Sequence, residues 1–166
     1  MMTASMQELE KNKKETSIKS MYFNRYLGVR YTLALFFFCN LYWLLSSALS
    51  SSMSLLLPAV NIVLAVLAMY EQVRIFSSHT SDAPAARRAF RVIGAVNVLV
   101  ITLLFIPGMF EWCYPFINAT MTNRLIVAAV LLAGLLLTLY TLQKLTRIRQ
   151  QHDKQYHRIK QYEKLI

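Results

Sequence analysis

The sequence predicts an all-α polytopic membrane protein, a four-transmembrane-helix bundle with a long basic C-terminal cytosolic helix, and three observations predict it. First, 56% of the 166 residues are hydrophobic and only 16% are charged, a balance too apolar for a soluble domain. Second, the stretches 31–50, 55–73, 92–110 and 125–141 are almost free of charge, and the charged residues lie between or beyond them. Third, the cations fall almost entirely on one side of the bundle that those stretches define. The apolar content also excludes a disordered chain. Four Gly exclude a collagen-like repeat, and two Cys exclude a disulfide-stapled module.

The chain divides into an N-terminal arm (1–30), a four-span transmembrane domain (31–141) and a C-terminal helix (142–166). Residues 1–20 mix Glu8, Glu10 and Glu15 with Lys11, Lys13, Lys14 and Lys19 and have little apolar surface, so a disordered or loosely helical arm is expected. From about 17 to 30, Ile18, Met21, Tyr22, Tyr26 and Val29 share a rough helical face that suits a helix lying on the inner leaflet. A helix rising about 1.5 Å per residue needs roughly 20 residues to cross a hydrocarbon core about 30 Å thick, and each apolar stretch approaches that length. The first span has no ionisable group beyond the thiol of Cys39 and the phenols of Tyr31 and Tyr42. The second carries Pro58 in its first turn, where a missing N–H does no harm. Glu71 and Arg74 stand a turn apart at its inner end, in reach of each other. Ser81 or Asp82 then caps a helix with Pro84 early and Arg87, Arg88 and Arg91 later, leading into the third span, which breaks at Pro107-Gly108. The fourth is the shortest and the richest in Leu. With about 30 polar residues ahead of the first span, no cleaved signal peptide is expected.

Orientation follows from the cations. Of 18 Lys and Arg, 17 fall in the arm, the middle connection and the tail, all on one side of a four-span bundle, and Arg124 alone falls on the other. Both termini are therefore expected in the cytosol, with the chain integral to a plasma membrane, bacterial by its small, basic, Cys-poor plan. The net charge of +10 is accounted for by this asymmetry and by attraction to anionic lipid of the inner leaflet, so it does not point to nucleic acid. Aromatic residues agree: Tyr22, Phe23, Tyr26, Tyr31, Tyr70 and Tyr140 mark the inner interface, and Trp112, Tyr114 and Phe116 the outer. The run 111–116 is expected as a short loop lying in the outer interface.

Within the spans there is no charged residue at mid-depth, which argues against a proton-coupled carrier. The polar groups that remain, Asn40, Asn61, Asn97, Thr102 and Thr138, are expected to face other helices, because an unpartnered amide in hydrocarbon costs a few kcal/mol. Asn61 and Asn97 belong to opposite halves of the bilayer, and Asn40 is expected to reach either only through a neighbour or water. Small residues predict close packing at Ala129, Ala133 and Gly134 of the fourth span and at Ala65 and Ala68 of the second.

Chemistry-bearing patterns are missing. Cys39 and Cys113 lie at different depths with no Cys-x-x-Cys. His79, His152 and His157 lack the three- or four-residue spacing of helical metal ligands. No phosphate-binding glycine loop, nucleophile elbow or His-Glu-x-x-His occurs, so neither cofactor nor metal is expected. Asn118-Ala119-Thr120 matches the glycosylation triplet in a loop close to the bilayer, and is read as chance. From Thr141 to Ile166 there is no Gly or Pro, and Leu145, Ile148, His152, Gln155, Ile159, Tyr162 and Ile166 recur at spacings of three and four. The fourth span thus extends as one helix of about 40 residues, about 60 Å long. This helix is either a coiled coil or a basic amphipathic helix along the inner leaflet, with Lys144, Arg147, Arg149, Lys154, Arg158, Lys160 and Lys164 as its cations.

The function expected from this pattern is that of a small membrane interaction protein, an accessory subunit, scaffold or protective protein packing against a larger membrane partner or copies of itself. Partner or lipid contacts are expected along the tail from Lys144 to Tyr162. The alternatives are an oligomeric transporter or channel lined by the Asn residues, and a membrane enzyme acting on lipid or quinone through Glu71, Glu111, His79 or a cysteine.

Overall fold

The computed structural model describes residues 4–50, 53–78 and 82–165; His79, Ser81 and Ile166, singled out above, lie outside the described residues. Its elements in chain order are α1 (Ala4–Asn24), α2 (Leu27–Leu49), a single 3-10 turn (Met53–Leu55), α3 (Leu56–Ser78), α4 (Pro84–Leu103), α5 (Met109–Cys113), α6 (Met121–Arg149) and α7 (Lys154–Leu165). There is no strand among the described residues. Three segments are long and apolar enough to cross a membrane: Leu27–Leu49, Leu56–Ile75 and the one that begins at Met121 with α6.

Four of the helices pack as a ring in which α2 meets α3, α3 meets α4, α4 meets α6, and α6 returns to touch α2. Two buried clusters at opposite ends show that the helices alternate in direction. At one end Tyr26, Val29 and Leu33 from the start of α2 meet Ala68 and Ile75 from the second half of α3, Ala86 to Ile93 from the start of α4, and Leu145 and Ile148 from the end of α6. At the other end Trp43, Val100, Leu104 and Ala128 pack with Phe110, Cys113 and Tyr114. The first is called here the basic end and the second the aromatic end. Away from the ring, α2 exposes Tyr31, Leu35, Phe38, Tyr42, Leu45 and Leu49, a stripe at three- and four-residue spacing that water would not tolerate and lipid would.

Helix boundaries have local causes. Pro84 opens α4 at a position where no N–H is needed. The cap residue Ala83 has no acceptor, and the Glu71 carboxylate of α3 takes its place, accepting from the backbone N–H of Ala85 and of Ala86 at 2.8 Å each. Asp82, expected as a possible cap, pairs with Arg87 instead. Thr120 caps α6 by accepting from the Asn123 N–H, so the hydroxyl of the glycosylation-like triplet serves the helix start.

Two expectations about the spans are corrected. The third does not run as a helix from 92 to 110: α4 begins at Pro84, ends at Leu103 and gives way to turns before Gly108, whose φ of 78° only glycine adopts without strain. The uncharged part, 92–103, rises about 18 Å, short of a full crossing. The 111–116 run is also more than an interfacial loop, since Phe110, Cys113 and Tyr114 are buried. Trp43 donates from Nε1 to the Cys113 carbonyl at 3.0 Å and stacks on Tyr114 with ring centroids 5.2 Å apart.

The C-terminal helix is corrected as well. It is broken after Arg149. His152 N–H bonds to the Arg147 carbonyl and Gln151 N–H to that of Ile148, with Gln151 at φ 57°. This is the Schellman closure of a helix, formed here without the usual glycine. The chain then turns back, and α7 packs on α1. Ile148 and Ile159 are buried within the molecule, while His152 and Gln155 are exposed. The expected seam is therefore divided between two helices and spent on internal packing.

Candidate functional site

The polar residues of the spans meet inside the ring. Asn61 Nδ2 donates to Asn40 Oδ1 at 3.0 Å, and Asn40 Nδ2 donates to the Phe36 carbonyl at 2.8 Å. Asn40 thus reaches Asn61 directly, contrary to expectation, because α2 and α3 are ring neighbours running in opposite directions. Asn97 lies elsewhere, on α4 against Gly134 of α6: a Cβ at Gly134 would stand 3.2 Å from Asn97 Nδ2 and 3.5 Å from the Phe36 ring. Gly94 and Thr138 repeat the approach at 3.2 Å, with Thr138 Oγ1 donating to the Gly134 carbonyl. The amides act as two separate interhelical contacts.

Of the small residues, Ala65 and Ala68 are buried, as expected, and Gly134 lies at the α4 crossing. Ala129 and Ala133 are exposed, so they take no part in packing within the single chain. The inward face of α6 runs through Ala128, Thr138, Thr141, Leu145 and Ile148, and residues 129 and 133 lie about 100° and about 140° round from Ala128. An all-apolar helix gives no periodicity from which that face can be read.

The basic end is where chemistry concentrates. Arg25, in the turn between α1 and α2, is 1% exposed. Its Nε and Nη2 donate to the two carboxylate oxygens of Asp153 at 3.0 and 2.6 Å, and Nη2 also donates to the Ile148 carbonyl at 3.1 Å. The guanidinium stands 5.8 Å from the Tyr22 ring and 5.1 Å from the Tyr156 ring. One side chain thus ties α1, the end of α6 and the start of α7 together. Beside it, Tyr26 is 1% exposed, and burial pushes its phenol from the ordinary 10.0 up to about 12. A cleft of about 460 Å³ opens next to the clamp, with Lys144, Arg147, His152, Lys154 and Gln155 in its wall. A second, of about 400 Å³, lies on the other side of α6 between Arg87, Arg91 and Thr146, and shares Gln143 and Arg147 with the first. The remaining tail residues singled out above, Arg149, Arg158 and Tyr162, lie outside both.

The chain matches no protein-family model, no curated protein and no solved structure.

Sequence reasoning counted Arg25 only as one more cation and passed over Asp153. The available signal was that Asp153 is a lone carboxylate among the tail's cations up to residue 162. It also passed over Gln72, 2% exposed, with both amide atoms lacking a partner among the described residues. No three His, Cys, Asp or Glu side chains among the described residues stand close enough to hold a metal ion.

Proposed function

We propose that this chain is an integral membrane interaction protein. It crosses a plasma membrane four times, keeps both termini on the cytosolic side, and presents its basic end to a larger membrane partner. α2, α3 and α6 make three of the crossings. α4, whose 20 residues rise about 30 Å, makes the other. Arg87, Arg88 and Arg91 then sit at the inner headgroups.

The observation that carries this reading is the buried Arg25–Asp153 pair. It holds the cationic tail as a fixed part of the body, which is what a recognition surface needs and what a loose lipid-binding tail does not. The hydrogen bond from Asn61 to Asn40, whose own amide donates to the Phe36 carbonyl, supports packing between α2 and α3 over a polar path. The test is a mild-detergent pull-down from the source membrane with the intact chain and with Asp153→Ala. The expected result is a stoichiometric membrane partner that is lost when α7 is released. Recovery of copies of this chain alone would overturn the reading.

A further inference from the structure

The two clefts at the basic end have more positive charge than the fold uses. In the first, Arg25 and Asp153 neutralise each other. Lys144, Arg147 and Lys154 face the same space without an ion-pair partner among the described residues, and so does Arg91 in the second. Like charges gathered in a concave surface repel one another, and an anion bound among them removes that cost. The gathering is built by the fold, since the Lys144 ammonium lies against Gly28 of α2, where a Cβ would come within 2.6 Å of Nζ. Arg147 stands between the clefts and lines both. The geometry therefore suits two anionic groups on one ligand, one to each side of Arg147.

The neighbouring surface says which kind of ligand. Tyr140 and Leu139 border the clefts, and Leu136 and Leu132, one and two turns further along α6 toward the aromatic end, are exposed. An apolar face thus runs directly from the cationic rim, as acyl chains attached to a phosphate headgroup require. We infer that the basic end of α6 is a binding site for paired phosphates, supplied by a phospholipid with two phosphates on one headgroup, with Arg147 between them. A soluble diphosphate shares the chemistry and lacks the chains. The inference rests on the placement of this end at the inner leaflet proposed above.

The test uses the full chain in mild detergent, titrated with diphosphatidylglycerol, phosphatidylglycerol or inorganic pyrophosphate and read by native mass spectrometry. One diphosphatidylglycerol per chain is expected to survive, held more tightly than phosphatidylglycerol and unaffected by pyrophosphate. Arg147→Gln and Lys144→Gln are each expected to weaken retention about fivefold, with Lys13→Gln on the exposed part of α1 as the unchanged control. Circular dichroism of each variant separates lost binding from lost fold, and Arg91→Gln samples the second cleft if Lys144→Gln does not fold. Competition by pyrophosphate at equal concentration would overturn the lipid as the source. Equal retention of the one-phosphate lipid, or undiminished retention in the folded variants, would overturn the site. Because detergent imposes no orientation, these failures leave the membrane placement standing; that placement fails separately if Gln161→Cys is labelled from outside intact cells.

Discussion

Arg25 is the residue on which the basic end depends. A guanidinium taken out of water is tolerable only with its charge matched, and removing one partner of a buried pair costs about 3 kcal/mol or more. Asp153→Ala should therefore lower the unfolding temperature in detergent and raise hydrogen exchange across α7, while the aromatic end keeps its protection. Exchange unchanged in residues 154–165 would show that other contacts hold α7. Tyr26 provides a pH signature. Its folded value lies above the unfolded 10.0, so its contribution is fully present below pH 10 and is lost as pH rises toward about 12. Stability is expected to fall across that window, and Tyr26→Phe should reduce the fall, as followed by thermal melts from pH 9 to 12. The roles of Arg25 and Asp153 were not legible in the sequence, because a pair 128 positions apart is created by the fold alone. Glu71 is similar: its role as the acceptor at the start of α4 depends on two helices meeting end to side.

At the scale of elements, the break between α6 and α7 decides the fate of the tail. Gln151 adopts the left-handed conformation that costs a residue with a Cβ about 1–2 kcal/mol. Gln151→Gly should accordingly raise stability by about 1 kcal/mol, read as an increase in melting temperature. A decrease would mean that the Gln side chain supplies a contact of comparable worth. The α4–α6 crossing yields a contrast. A side chain at Gly134 enters the space held by Asn97 and Phe36, so Gly134→Val should destabilise by about 1–3 kcal/mol. Ala133→Val, one position along and exposed, should stay within about 0.5 kcal/mol. Equal effects in paired detergent melts would displace the crossing from where it is described. The existence of the four ring helices was legible from charge-free length and from Pro58 and Pro84. The ends of α4 and α6 were not, since one stops four residues ahead of its proline and the other stops with neither proline nor glycine.

For the whole molecule, the proposed orientation makes a direct prediction. With Cys39→Ser as background, Ser50→Cys at the aromatic end should react with a membrane-impermeant maleimide on intact cells, and Gln161→Cys on α7 only after permeabilisation. The reverse pattern would invert the topology and move the paired-phosphate site to the outer leaflet. The sequence by itself determined that the protein is helical, that it has segments suited to lipid, and that its cations cluster at the two ends and in the middle connection. These properties follow from hydropathy and charge summed along the chain, and they need no knowledge of which faces meet. Only the tertiary structure decided that Asn40 pairs with Asn61, that Ala128 rather than Ala129 faces inward, and that Asp153 closes on Arg25. A uniformly apolar helix such as α6 is equally content in lipid on every side. Its inward face, and with it the position of the two clefts, is set by the side chains of α2 and α4 that it meets.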